Sequence, residues 1–492
     1  MPNKKFQILA PILAFLIPFA VRLLPEIIAW PYPIGFDTVY AYIPWIKSGY
    51  PINLGPLEFF RGARLFPFLA LMLDRYVLNN PVVTIKLLGP LLYAFLGLSL
   101  YLFSKNVLKW GPRKSLLLVG ICSIYFISLR ISWEMYRQML GTIFLFSVLT
   151  CYWSSKRRLG LILTPVFSLL AAFSHEIVAV ALLIILLVET IIGSLTRSEK
   201  LPAAAFSLIL LFAFLGFILF DPAAKVLRIP FESFSEDRTL LAGHILGFIA
   251  YSYCPLAPFA LYGLVKLRNR LVYCWLASML LLSTWPVICP EVAPPLWFRW
   301  AIFMVYPVSM LFVEGIYRIF SHSPPKSIKV ILALYLSFIV FTGVWYLVAD
   351  PEHAFMYYSD YNPYKAYVQS SMLQSTIPIE DIEPSTQAIK WLSENANGLV
   401  IFHEAFYPWA IICDCLPEKY IVIRERNLSK PKRPSFADAL NEIIEKAKND
   451  KSQIYTVWWA SSKGWYNVLQ LPANFKLEKS FGNIGIYKAE IK

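Results

Sequence analysis

Long apolar runs, each about the length needed to cross a bilayer, follow one another from Ile8 to Ala349. They lie at Ile8 to Leu24, Val83 to Phe103, Ser115 to Trp133, Gln138 to Trp153, Leu159 to Phe173, Ile177 to Leu195 and Ala203 to Phe220. Leu241 to Val265, Leu271 to Ile288, Trp297 to Tyr317 and Ile328 to Ala349 complete the series. Every second linker is basic: Ser104 to Lys114, Lys156-Arg157-Arg158, Arg197 with Lys200, Lys266 to Arg270, and Lys326 with Lys329. Lys4 and Lys5 precede the first run. About eleven spans with a cytoplasmic amino terminus satisfy the positive-inside bias at every linker. The first run reads as a retained helix, because Pro11, Pro18 and Arg22 interrupt it and no small-residue cleavage site follows. Leu65 to Leu78 is apolar but short and carries Asp74 and Arg75; it is expected to lie along the outer membrane face within the loop Pro25 to Asn80.

The pattern changes at Asp350, where Pro, Asn, Glu and Lys return and apolar runs shorten. Glu383-Pro384-Ser385-Thr386 signals a helix reaching about Asn395, with proline in its first turn. Strands are expected at Leu399 to His403, Tyr420 to Arg424, Ile454 to Trp459, Lys476 to Phe481 and Ile484 to Ala489, with Gly482-Asn483 as a hairpin turn. A second helix is expected from about Ser435 to Lys448. The division is therefore a membrane module, 1–349, and a small extracytoplasmic α/β domain, 350–492.

Composition narrows the class. With 58% hydrophobic and 15% charged residues, the chain cannot hide its apolar surface in water and reads as a polytopic α-helical protein of the cell membrane. The net charge of +14 does not point to nucleic acid, because the Lys and Arg sit in linkers that orient helices. Cys122, Cys151, Cys254 and Cys274 read as small apolar fillers; Cys413 and Cys415 are too close for an ordinary disulfide and have no second pair for zinc.

The outer side carries the polar chemistry. Asp37 lies just beyond the first span among Phe36, Tyr40, Tyr42 and Trp45, where an aromatic belt meets headgroups. Arg130, Glu134 and Arg137 fall in one outer turn; Ser174, His175 and Glu176 fall in another. Ser233-Phe234-Ser235-Glu236-Asp237-Arg238 lies in a loop that lacks periodicity, with His244 a turn into the next helix and Arg299 opening the tenth span. Each residue alone reads more readily as a side chain snorkelling to headgroups; their gathering on one side points to a site. Carboxylates with a divalent ion, and arginines that pair with phosphate oxygens, suit the cleavage of a sugar–phosphate bond at a lipid headgroup.

Gly35-Phe36-Asp37 followed by Leu65 to Lys105 resembles the first loop and second span of the catalytic subunit of oligosaccharyltransferase, in the GT-C superfamily. Ser233 to Asp237 resembles that family's SVSE motif, and Phe298-Arg299-Trp300 its phosphate-binding arginine. The resemblance implies that Asp37 is a catalytic acid and, with Glu134, a ligand of Mn or Mg. It places Glu236 in a loop that closes over substrate, and Arg299, helped by Arg238, on the phosphate. His175, Glu176 and His244 are further members of the outer set. The implied donor is a polyprenyl or dolichyl phosphate sugar in the membrane lipid, and the acceptor is a glycan or a protein. Two features depart from the family. The acceptor-reading WWDxG is missing, Val457-Trp458-Trp459-Ala460 being a strand end, and the second acidic motif shrinks to Glu134. A flippase of lipid-linked precursors would instead need polar groups at mid-membrane, and a scaffold with the fold but no catalysis would fit the thinned motif.

Overall fold

A computed structural model describes residues 4–55, 58–59, 62–154, 157–195, 201–221, 226–227, 237–293, 296–322, 325–351, 364, 367–423, 436–448, 453–461, 471–472 and 474–489. In chain order the helices are α1 (Lys4–Ile28), α2 (Ile43–Ser48), α3 (Leu65–Leu73), α4 (Pro81–Asn106), α5 (Pro112–Ile124), α6 (Phe126–Glu134) and α7 (Tyr136–Ser154). Then come α8 (Arg157–Ser174), α9 (Glu176–Leu195), α10 (Leu201–Leu219), α11 (Arg238–Tyr253), α12 (Ala257–Leu267), α13 (Arg270–Ile288), α14 (Trp297–Phe303), α15 (Val305–Ser321) and α16 (Lys326–Val348). Short π-helical stretches, Thr38–Tyr42 and Asp74–Leu78, adjoin α2 and α3. Every apolar run read from the sequence is helical, and the protein is an integral membrane protein. By length and composition, five helices among the described residues can cross a bilayer, or seven if two bent pairs each make one span. The pairs are α5 with α6, bent by 66°, and α11 with α12, bent by 85°.

The molecule consists of two compact units, one of residues 1–25 with 49–372, the other of 26–48 with 373–492. A single cut at 349/350 is therefore a correction to make: the loop carrying Asp37 belongs with the carboxyl-terminal residues. Val39 shows why, being fully buried in the same core as Ile377, Phe406 and Trp409, and Gly35 N–H donates to Gln374 O at 3.0 Å.

Within the helical unit, tyrosines repair the broken spans. Tyr125, in extended conformation between α5 and α6, donates its hydroxyl to Ser252 O, beside the break at Pro255. Tyr93 donates to Cys122 O at 2.7 Å, Tyr335 to Pro255 O, and Tyr253 to Ala301 O at 2.6 Å, near the α14–α15 junction. A carbonyl left free by a helix break has no water to bond in hydrocarbon, so a neighbouring hydroxyl must supply the proton. Gly263 and Gly315 let α12 and α15 touch through backbone: a Cβ on Gly263 would fall 1.8 Å from Leu311 O.

The second unit holds a mixed sheet of β3 (Leu399–His403), β4 (Tyr420–Ile423), β5 (Ile454–Trp459), β6 (Phe475–Phe481) and β7 (Ile484–Ala489) in the order β4-β3-β5-β7-β6; a two-residue pair, β1 (Phe220–Asp221) with β2 (Val226–Leu227), lies in the first unit. β3 runs parallel to β4 and β5, and β7 antiparallel to β5 and β6. Three helices accompany the sheet: α17 (Ile379–Asn395), α18 (Tyr407–Ile412) and α19 (Phe436–Lys448). Helix α17 starts four residues before the expected Glu383, so Pro384 sits inside it. As the sixth residue of the helix, Pro384 removes the one intrahelical bond that an N–H at that position would give to Glu380 O. Trp458 and Trp459 are buried, and Trp459 Nε1 donates to the buried Asp381 at 2.8 Å.

Candidate active site in the helical unit

The site is built around the end of α6. There Arg22, fully buried on α1, donates Nε to Ser132 O at 2.9 Å and Nη2 to the Tyr136 hydroxyl at 3.0 Å. A helix leaves its last carbonyls unpaired and carries partial negative charge there, so a buried guanidinium is stabilised at that point. Arg130 and Glu134, one turn apart on α6, form a buried ion pair at 2.9 Å. Arg130 Nε also donates to Tyr367 O at 2.8 Å, its guanidinium lies 5.2 Å from the Trp133 ring centre, and its buried Nη1 has no acceptor among the described residues.

The next turn adds a second pair. Arg137, opening α7, donates Nη2 to both carboxylate oxygens of Glu176, at 2.8 and 3.0 Å. His175 stands just before α9 and accepts the Ile177 N–H on Nδ1 at 3.2 Å, so the ring caps the helix in its neutral form with the proton on Nε2. Burial pushes its pKa down to about 3; Glu176 works against this, while the charges of Arg137 and Arg299 add to it.

Arg299 sits in the first turn of α14 behind Leu296, a leucine held in the left-handed region at φ 56°. Strain of that kind at a non-glycine residue is kept where the surroundings dictate it, often beside a functional group. Arg299 is half-buried, and its buried Nε has no acceptor among the described residues. Next to it Phe298 stacks on Tyr367 at 4.8 Å, and the Tyr367 hydroxyl meets His244 Nε2 at 3.2 Å. His244 is also 5.8 Å from Trp297 and 5.3 Å from Tyr364, so its ring belongs to an aromatic group over α11 and α14. It packs the arginine's helix in place.

The other expected residues lie elsewhere. Arg238 opens α11 and meets Glu291 at 3.3 Å in an exposed pair, while Asp237 caps that helix through Thr239 N–H at 2.7 Å. A backbone N–H bond at Glu291, helped by Arg238, lowers the Glu291 carboxyl pKa. Glu236, with Ser233 to Ser235 and most of the Asp221 to Leu240 loop, lies outside the described residues, as do Pro294 and Pro295. Asp37 belongs to the second unit, half-buried at the start of the π-helical stretch Thr38–Tyr42, after Gly35 at φ 95°; Phe36 and Tyr40 stack at 5.6 Å beside it. Among the described residues no three His, Cys, Asp or Glu side chains gather as a metal-ligand set, and Glu134 is engaged by Arg130.

Sequence reasoning missed Arg22 as a cap, reading it only as an interruption of the first span. It also missed Lys86, buried in the first turns of α4. A charge inside an apolar run was the available signal for both. Two further carboxylates, Glu189 and Glu314, are buried elsewhere in the unit. Glu189 pairs with Arg270 at 2.7 Å, and Glu314 with Arg318 at 2.7 Å and with Lys114.

No family model matches the chain, and no curated protein matches it. Among solved structures the chain is similar to ArnT from Cupriavidus metallidurans in the apo state, with a TM-score of 0.56 and 10% identity over 100% of this chain and 99% of that one. At that identity the likeness concerns the fold alone, and this chain has an ArnT-like fold: a polytopic helical membrane protein with a small α/β unit.

Proposed function

We propose that the protein is a membrane glycosyltransferase that moves a sugar from a polyprenyl-phosphate donor to a lipid-linked glycan or a protein on the outer membrane face. The observation that carries this is the pair of buried arginine N–H groups, Arg130 Nη1 and Arg299 Nε, without acceptors among the described residues. Buried donors are almost always satisfied, and a phosphate oxygen is the acceptor that suits a guanidinium. The ArnT-like fold supports the same reading.

In the reaction the bond between the sugar carbon and the phosphate oxygen breaks, and the phosphate keeps the electron pair. Arg299, with Arg130 and Arg137 in the same unit, offsets the charge that develops on the leaving oxygen. An acceptor hydroxyl bonds to the sugar carbon, and its proton passes to Asp37. Since the described residues make no ligand set for Mn or Mg, no step is routed through a metal.

Purified protein incubated with a panel of polyprenyl-phosphate sugars and membrane extract should label an acceptor. Asp37→Asn keeps the shape and removes the base, and should lower transfer by about a hundredfold or more while the protein still folds. Activity of this variant within about threefold of wild type would remove Asp37 from the reaction. Transfer measured after EDTA treatment, and again after adding manganese, reads metal dependence directly.

A further inference from the structure

The second unit contains a cavity of about 400 Å³ that the reaction does not use. Its walls come from α2 and from the end of α18: Trp45, Lys47 and Ser48 on one side, Tyr407, Ile411 and Asp414 on the other. Lys47 stitches the two walls together. Its ammonium donates to Ile411 O and Ile412 O, both at 2.9 Å, and to Asp414 Oδ2 at 2.6 Å, so its three N–H bonds are all taken. Both carbonyls lie in the last turn of α18, where a cation is stabilised.

Asp414 is the unusual part. It ends α18 with φ at 55°, a position where helices ordinarily place glycine. Its side chain is 83% exposed, and Oδ1 has no protein partner among the described residues. An aspartate kept where glycine is easier, lining the cavity with only one oxygen pinned, is suited to accept hydrogen bonds from a ligand. The cavity also offers two large ring side chains and a serine. Flat apolar rings beside a carboxylate acceptor match a sugar, whose ring has an apolar C–H face and a rim of hydroxyl donors. A phosphate fits poorly, because the one cation is fully engaged and Asp414 is negative.

We infer that this cavity is a carbohydrate seat that holds a sugar of the acceptor glycan away from the reacting hydroxyl. The inference rests on the proposed transferase reading. Asp37 stands eight residues before Trp45 on one continuous helical stretch, so at a helical rise the two are separated by roughly 12 Å. That is a span of more than one sugar ring, as a seat for the non-reacting part of a glycan requires.

The full-length protein in lipid nanodiscs is passed over an immobilised panel of short hexose, N-acetylhexosamine and uronic acid oligosaccharides, without donor. Wild type should be retained by at least one, and Trp45→Ala should weaken that binding about tenfold. Asp414→Gly should weaken it to a similar degree, about tenfold, while thermal stability stays unchanged or rises, since glycine prefers the left-handed position. Retention by no member of the panel, or equal binding by both variants, overturns the seat. The transferase reading is separated by its own readout. Transfer to a glycan that is indifferent to Trp45→Ala removes the seat and leaves the enzyme; binding that depends on Trp45 and Asp414, with no transfer from any donor, keeps the seat and removes the enzyme.

Discussion

At one end of the helical unit Glu189 and Glu314 are buried, and Arg270, Lys114 and Arg318 reach in to neutralise them. At the other end, among the described residues, the buried cations Arg22, Lys86 and Arg130 outnumber the buried carboxylate Glu134. The first arrangement is closed. Lys114 also lies over the Trp110 ring at 4.0 Å, and Arg270 lies 5.2 Å from the Trp153 ring centre. The second arrangement is open, with the buried Nη1 of Arg130 lacking an acceptor among the described residues. Burying charge is expensive in either case; a closed set returns the cost as structure, whereas an open set keeps attraction in reserve for an anion that comes and goes.

Breaking the closed end should have the largest effect, and on stability alone. Glu314→Gln leaves Lys114 buried without its counter-charge and should lower stability by about 3–5 kcal/mol, read as thermal unfolding in detergent. Replacing both Glu314 and Lys114 by apolar residues should recover most of the loss. Transfer per folded molecule should not change; if it falls as far as in an Arg299 variant, the two ends do not differ in kind.

At the open end the sign reverses. Arg299→Ala should cost about a hundredfold in transfer, some 2.7 kcal/mol, with little change in unfolding temperature. Arg299→Lys should fall between, since an ammonium keeps the charge but loses the planar fork. A loss of stability with unaltered turnover would make Arg299 a structural cation like Arg270.

The smallest effect is a pH dependence at His175. Its folded pKa, about 3, lies below the ordinary histidine value, so the unfolded chain binds the extra proton. The stabilisation is complete above about pH 6.5 and is lost as pH falls towards 3. Between pH 6 and 5 wild type should lose about 1 kcal/mol more than His175→Gln, which caps the helix without titrating. Parallel pH profiles would show that His175 is already charged in the fold.

Much of this contrast could be read in the chain. Arg130 and Glu134 are four residues apart, a spacing that pairs them on any helix. The strands β3, β5 and β7 have the expected bounds because Leu399 to His403, Ile454 to Trp459 and Ile484 to Ala489 are β-rich runs closed by turn residues. Pairings across the fold could not be read: Arg137 with Glu176, or Tyr125 with Ser252, depend on which helices pack together. Nor could α18, where Pro408 and Trp409 in a short apolar stretch carry no period. The place of Val39 in the second unit was hidden for the same reason, since its burial depends on residues more than three hundred positions away.

That separation has a consequence for biogenesis. Residues 26–48 leave the ribosome early, and the rest of their unit begins only at residue 373. At ordinary synthesis rates of about 5–20 residues per second, the segment bearing Asp37 waits roughly 15–65 s for its core to arrive. During that interval Val39 and its neighbours have no partner of their own unit. A part of the chain made more than three hundred residues later therefore gives the candidate acid its setting.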